Sequence, residues 1–304
     1  MVKKSVPKIN FWRNKKIFIT GHTSFKGSWL KLWLETMGAK VTGYSIDYPS
    51  SPTSLSKILF KDKLKKKKIL NLKLLEKKIN ESKAEIAFHL AAQSIVSEAK
   101  QNPIKTYKTN ILGTACFMEA CLKSKNLKLA AVITTDKCYD DSLKNNFYSE
   151  KSTLGGSEPY SASKASSEII AKSYSQVFKI KNKKIITLRS GNVLGGGDWK
   201  KNRLIPDIIF AFKKNTHLKI RNPKATRPWL HVLDCLNGYL LAAEKIFKTN
   251  IFFDTWNFAP KMTYQVKVFD LIDSFKKIFP FFIRKIKIQK KKNFYESLKL
   301  NLSP

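Results

Sequence analysis

Lys16-Ile17-Phe18-Ile19-Thr20-Gly21-His22-Thr23-Ser24-Phe25-Lys26-Gly27 is the stretch on which the fold turns. Lys16 to Thr20 is a short apolar run of the kind that forms a buried strand. From Gly27 to Met37, Trp29, Leu30, Trp33 and Leu34 recur at helical spacing, and Gly38 supplies the stop. Val41-Thr42-Gly43-Tyr44-Ser45-Ile46 reads as the next strand, ending at Asp47. Strand, glycine turn, helix and strand make a β-α-β unit of about the length a parallel crossover needs.

Glycine in such a turn lets backbone N–H groups approach a pyrophosphate, and the helix N-terminus adds partial positive charge. Gly21, Thr23, Ser24, Phe25, Lys26 and Gly27 are therefore the candidate dinucleotide contacts. Asp47, at the end of the second strand, is placed to accept hydrogen bonds from ribose hydroxyls. A carboxylate there disfavours a 2′-phosphate, so NAD is expected over NADP. The bland alternative is an ordinary βα turn beside a surface aspartate.

Working outward, Glu85 to Leu90 and Leu129 to Thr134 read as strands, and Thr187-Leu188-Arg189 lies in another. Asn110 to Leu122 has helical spacing. This alternation predicts a doubly wound, Rossmann-type parallel sheet in an α/β fold, with Pro49 and Pro52 in a loop. After Gly191 the texture changes: Gly195-Gly196-Gly197 is a turn, and Arg203 to Phe212 is a helix candidate. Arg221 to Trp229 reads as a rigid loop, and Trp256-Asn257-Phe258 as a late strand. The expected organisation is a dinucleotide domain over 1–192, with a late return near 228–260, and an interleaved substrate lobe over 193–304.

Tyr160 and Lys164 stand one helical turn apart, so both side chains can face one pocket. A free phenol titrates near about 10 and is a poor base at neutral pH. A neighbouring ammonium, helped by the positive charge of the nicotinamide, is expected to lower it, so that Tyr160 takes a hydroxyl proton while hydride leaves the same carbon. Thr135, Asp136 and Lys137 follow a strand end, where α/β folds present catalytic groups. Threonine can donate to the reacting hydroxyl. The adjacent acid and base exceed what simple hydride transfer needs, and suit elimination. A surface pair on a helix and a solvated turn are the plain alternatives.

Composition sets the outer bounds. The 304 residues are 43% hydrophobic, enough for one large α/β domain or a domain plus a small lobe. No apolar run approaches the roughly 18 residues of a membrane span. Met1 to Asn10 is Lys-rich without the apolar stretch of a secretory signal. Cys116, Cys121, Cys138 and Cys235 show no C-x-x-C spacing, so a reducing cytoplasm is expected and no metal site is read. The net charge of +36 is spread along the chain, with short runs at Lys65–Lys68 and Lys290–Lys292. With no zinc-finger, RNP or basic-helix pattern, this reads as solvated lysine rather than nucleic-acid binding.

The turn TGHTSFKGSWL, the loop HLAAQ (His89 to Gln93), TTDKCYD, PYSASK, RSGNVLGGGDW, RLIPD and RPWLHVLD together resemble the extended short-chain dehydrogenase/reductase family, and in wording its nucleotide-sugar dehydratases. The resemblance implies CDP-glucose as substrate, NAD as cofactor, and a homodimer or higher homo-oligomer built on the Tyr160 helix. It implies dehydration across C5 and C6 of the sugar, feeding deoxyhexoses to surface polysaccharide. Tyr160 with Lys164 would act at the 4-hydroxyl, Lys137 at the C5 proton and Asp136 at the C6 hydroxyl. Leu90, Ala91, Ala92, Gln93 and Asn110 join the cofactor set, and Gln93, Thr135, Asn192, Arg203, Leu204, Arg221 and Arg227 the substrate set.

Three departures from the family wording matter. Ser24 stands where the turn has glycine, which requires a negative φ there if the side chain is to clear the pyrophosphate. Asn71 stands where an aspartate meets adenine, and is the expected replacement. The chain stops at Leu300-Asn301-Leu302-Ser303-Pro304, where members continue through further helices, so a C-terminal truncation is expected. Another nucleotide-sugar dehydratase or epimerase, or a silent nucleotide-binding protein, remain the alternatives.

Overall fold

Isoleucine, phenylalanine and valine in short runs favour a pleated backbone that is buried on both faces, and the computed structural model builds its sheet from such runs. It describes residues 5–48, 54–60, 67–143, 147–214, 216–220, 222–260, 266–280, 286–287 and 302. Arg221, Pro49, Pro52 and the lysine run at 290–292 lie outside these residues, as does most of the last segment.

Six strands form one parallel sheet: β1 Lys16–Thr20, β2 Lys40–Tyr44, β3 Ile86–His89, β4 Leu129–Ile133, β5 Lys184–Ser190 and β6 Phe253–Phe258. Their order is β6-β5-β4-β3-β1-β2, which reverses direction at β1 and β3, the switch point at which α/β sheets bind ligands. The late strand does return to the sheet, pairing in parallel with β5 from Phe253 opposite Ile185 to Phe258 opposite Ser190.

Helices cover both faces. One face packs α1 (Phe25–Thr36) and α6 (Val232–Lys248) over Ile17, Ile19, Phe88, Ala131 and Leu188. The other packs α2 (Leu72–Ser82), α3 (Gly113–Lys123) and α4 (Pro159–Ser173) over Phe18, Ala87, Ala130, Val132 and Ile185. Successive residues of each strand thus feed opposite cores, as the two-residue period demands.

Past β5 the chain makes smaller pieces. Val193–Leu194 pairs with Leu230–His231, and Thr226–Arg227 runs antiparallel to Val266–Lys267. Helices α5 (Leu204–Lys213) and α7 (Val268–Ile278) close a separate apolar cluster of Ile208, Ala211, Leu218, Ile220 and Ile272. Strand ends differ from the sequence reading where side chains change job: β2 stops at Tyr44, because Ser45 Oγ turns to the Thr23 N–H and His22 Nδ1.

Candidate active site

The glycine turn is shaped by contacts that leave no room for side chains. Gly21 has φ +72°, and a Cβ there would stand 2.7 Å from Ala91 N. A Cβ on Gly27 would stand 2.1 Å from the Gly21 carbonyl oxygen. Such spacings pull the first turn of α1 against β1 and the loop after β3, and form the cradle a pyrophosphate needs. Ser24 has φ −70° and caps α1, its Oγ accepting from the Gly27 N–H at 3.2 Å. The negative φ required for the serine is therefore met, and its side chain is folded onto the helix.

Thr23 binds the turn to the second strand, its Oγ1 donating to the Asp47 carbonyl oxygen at 2.6 Å. The Asp47 carboxylate is exposed three residues past β2 and accepts the Tyr48 N–H through Oδ1. It stands where an acceptor for ribose hydroxyls belongs. Asn71 caps α2, Oδ1 accepting from the Leu74 N–H at 3.1 Å, so its acceptor is committed to the helix.

The loop after β3 is held by Asn110. Its Oδ1 accepts the Gln93 N–H at 2.8 Å, and its Nδ2 donates to the Gln93 carbonyl at 3.0 Å and to Ser163 Oγ at 2.8 Å. Asn110 sits in a π-turn over Lys108–Leu112, a local widening that often marks functional sites. Gln93 spends its side chain on the Ile95 backbone and Thr106, so its substrate role would fall to its backbone. Leu90 and Ala91 hang from Thr20 by backbone N–H groups, and Ala92 continues that loop.

Tyr160 and Lys164 lie on α4, whose start is fixed by Pro159 and by Glu158, which accepts from the Tyr160 and Ser161 N–H groups at 2.8 Å each. Both side chains are buried against the end of β4. Lys164 Nζ donates to the Ile133 carbonyl at 3.0 Å, and burial and then the Lys26 ammonium lower it to about 8. Without the nicotinamide charge the phenol stands high. Burial raises Tyr160 to about 12, with the Thr135 hydroxyl opposing, because Lys164 directs its ammonium at a carbonyl instead. The chain alone does not make the phenolate.

Thr135 Oγ1 donates to Asp136 Oδ1 at 2.9 Å, and the Lys137 N–H reaches the same hydroxyl at 3.4 Å. Asp136 is 2% exposed, and its Oδ2 is buried with no hydrogen-bond partner among the described residues. Burial raises its carboxyl, with Lys137, Thr135 and Arg227 opposing. A carboxyl held toward the neutral form is equipped to give a proton.

Arg227 is buried on a two-residue strand and close enough to act on Asp136. Arg203 caps α5 and reaches Asp198 at 2.7 Å and Ser94 at 3.0 Å, while its charge is felt at Tyr160. Asn192 accepts the Leu230 N–H through its carbonyl, and Leu204 opens α5 against the small apolar cluster.

Sequence reasoning missed the frame behind these groups. Glu168, one turn beyond Lys164, pairs with Arg189 at 2.8 Å while both are buried, and accepts from the Thr134 hydroxyl. Arg189 also donates to Tyr139 OH at 2.8 Å, which in turn donates to Asn257 Oδ1 at 2.6 Å. The available signal was the spacing of Tyr160, Lys164 and Glu168, which puts all three on one helical face.

Residues 17–252 match the NAD dependent epimerase/dehydratase family. The chain is 43% identical over 262 residues to the CDP-glucose 4,6-dehydratase of Salmonella typhimurium, covering 83% of this chain and 73% of that protein. It is 32% identical over 247 residues to the dTDP-D-glucose 4,6-dehydratase of Dictyostelium discoideum, covering 76% and 56%. Among solved structures, the UDP-glucose 4-epimerase of Thermotoga maritima superposes with a TM-score of 0.80 at 20% identity, over 94% of this chain and 89% of that one. The dTDP-glucose 4,6-dehydratase of Streptomyces venezuelae, solved with NAD, gives 0.79 at 18%, over 94% and 88%. The chain therefore belongs to the NAD dependent epimerase/dehydratase family. NAD is its cofactor, and the glycine cradle, exposed Asp47 and buried Tyr160–Lys164 pair fit that dinucleotide.

Proposed function

We propose that this chain is a CDP-glucose 4,6-dehydratase, converting CDP-glucose to CDP-4-keto-6-deoxyglucose and water. The observation that carries the reading is Asp136: a buried carboxyl, raised by burial, with one oxygen unpartnered beside Thr135 and Arg227. An epimerase needs no such acid. The 43% identity to a CDP-glucose 4,6-dehydratase supports the choice of nucleotide.

NAD, which the glycine turn and the loop after β3 would hold, would accept the hydride of C4 and give it back at C6. Tyr160 takes the proton of the 4-hydroxyl, with Thr135 holding that oxygen. The phenol stands at about 12 in the chain alone, so the positive charge that a bound nicotinamide would bring is what this reading needs to lower it. The ketone at C4 acidifies C5, whose proton goes to Lys137 acting as the neutral amine. Asp136 gives its proton to the departing C6 hydroxyl. Arg227 and Arg203 take the diphosphate, a partner that suits a guanidinium fork; Arg221, Asn192 and Leu204 are assigned to the same substrate, with 1–192 and a return near 228–260 as the NAD domain and the rest of 193–304 as the interleaved lobe.

We further place the protein in a reducing cytoplasm, where its four cysteines stay free, supplying deoxyhexoses for surface polysaccharide. It works as a homodimer through α4 and the neighbouring helix Pro103–Tyr107, on which Ile169 and Ile104 are exposed.

The test is incubation with NAD and CDP-, dTDP-, GDP- or UDP-glucose, watching the alkaline chromophore of a 4-keto-6-deoxy sugar. Signal with CDP-glucose, reduced about 10²–10⁴-fold in Tyr160→Phe, is the expected result. Signal with another nucleotide alone overturns the substrate, and none from a folded, NAD-binding protein overturns the reaction.

A further inference from the structure

Lys26 leaves the turn to which the sequence assigns it. Its Nζ donates to Tyr239 OH at 3.1 Å and Ser190 Oγ at 3.2 Å, 5.4 Å from the centroid of the Tyr239 ring. Tyr239 OH donates in turn to Ser190 Oγ at 2.8 Å, and both partners are buried. The first turn of α1, the end of β5 and the body of α6 therefore meet on one ammonium. The residue that follows β5 is Gly191, on which a Cβ would stand 3.1 Å from Asp136 Oδ2. The ammonium thus backs the strand end against which the catalytic acid rests.

Charged and titratable groups reach this point from several elements. Lys26 faces Tyr239 and Cys235 of α6, Arg203 before α5, and Asp136 after β4. Lys164 faces Lys26 from α1, Glu168 on its own helix, Cys138 after β4 and His89 from β3. A cation fixed in a poorly solvated site makes each neighbour easier to deprotonate, and its loss does the reverse.

We propose that Lys26 is a positioning residue of the proton-transfer groups: an ammonium pinned by Ser190 and Tyr239 that sets the charge balance around Lys164 and Asp136, rather than a contact to the dinucleotide. What those groups do in turnover rests on the dehydratase reading. The charge effect does not.

The test is a carbon-13 titration of the lysine Cε atoms in cofactor-free protein, with Lys164 assigned by its loss in Lys164→Arg. Wild type is expected to titrate at about 8. In Lys26→Met the midpoint moves up by about half a pH unit or more, while Lys26→Arg, which keeps the charge, stays near wild type. Methionine leaves Ser190 and Tyr239 bonded to each other; should it still unfold the chain, Tyr239→Phe, which frees the ammonium, gives a smaller shift of the same sign. NAD affinity by calorimetry stays within about threefold, since the ammonium is committed to the two hydroxyls. The pH–rate profile of dehydration moves the same way. An unmoved Lys164 midpoint overturns the proposal, whether it comes with lowered melting temperature (a structural bolt) or with a tenfold loss of NAD affinity (a cofactor contact). A moved midpoint in a protein that dehydrates no sugar leaves the proposal standing and removes the dehydratase reading.

Discussion

Asp136→Asn keeps the size of the side chain and the Thr135 hydrogen bond but removes the transferable proton. The expected result is a fall in water loss of about 10²-fold or more, with removal of deuterium from C4 of the sugar affected much less. Single-turnover rates with labelled CDP-glucose check it; equal losses in both steps would make Asp136 a binding residue. His89 gives a prediction for stability. Its ring is fully buried on Phe117, with Thr20 Oγ1 2.8 Å from Nδ1, and burial lowers it to about 3. The folded chain therefore holds it neutral, whereas the unfolded chain protonates it near about 6.5. The stabilisation it contributes is whole above that value and is lost as pH falls toward about 3, on the order of 4 kcal/mol. Urea unfolding across this range should show a shallower acid loss in His89→Gln than in wild type.

At the scale of elements, the turn before α1 holds the NAD cradle by contact. Gly27→Ala sets a methyl 2.1 Å from the Gly21 oxygen and has to lift the helix away. A loss on the order of 3 kcal/mol and of most NAD affinity is expected, read by thermal melts and calorimetry. The frame behind the catalytic loop is a second such element. Glu168→Ala leaves the Arg189 guanidinium buried and unpaired, at a cost of about 3–5 kcal/mol by denaturant titration.

These two elements also explain what the sequence discloses. Apolar runs and glycines announced β1 to β5 and α1, because strand burial and a sub-3 Å backbone approach each demand particular residue types in order. The motif at Thr135–Lys137 and the pair Tyr160–Lys164 came together as read. The spacing of Tyr160, Lys164 and Glu168 offered a sign of Glu168 alone; its partner Arg189, Tyr239 and the turned-away Lys26 were not legible, since an ion pair or hydroxyl network between residues far apart in sequence leaves no spacing to find. That the Tyr160 phenol stands high in the chain alone has a related reason: which atom Lys164 faces is decided by tertiary packing.

Over the whole molecule, the +36 charge finds a structural use at the pole opposite the catalytic residues. There Lys183 Nζ donates to the carbonyls of Cys121, Leu122 and Ser124, and Lys184 Nζ to those of Phe247 and Thr249. Cations thus answer the carbonyl ends of α3 and α6, as the helix dipole favours. No described helix is long and apolar enough to cross a membrane. Among the exposed apolar side chains, Ile104 and Ile169 stand on neighbouring helices, 64% and 59% exposed. Ile169→Asp is expected to turn a dimer into a monomer in sedimentation velocity, with the fold and NAD binding kept; a wild-type monomer would contradict the dimer outright.

The most direct measurement follows an atom. CDP-glucose carrying deuterium at C4 is converted in ordinary water and the product is read by NMR. A redox-neutral dehydration predicts deuterium recovered at C6 of the 4-keto-6-deoxy sugar, with a solvent proton at C5. Deuterium retained at C4 of an epimerised sugar, or unreacted substrate beside a folded, NAD-loaded protein, would contradict it.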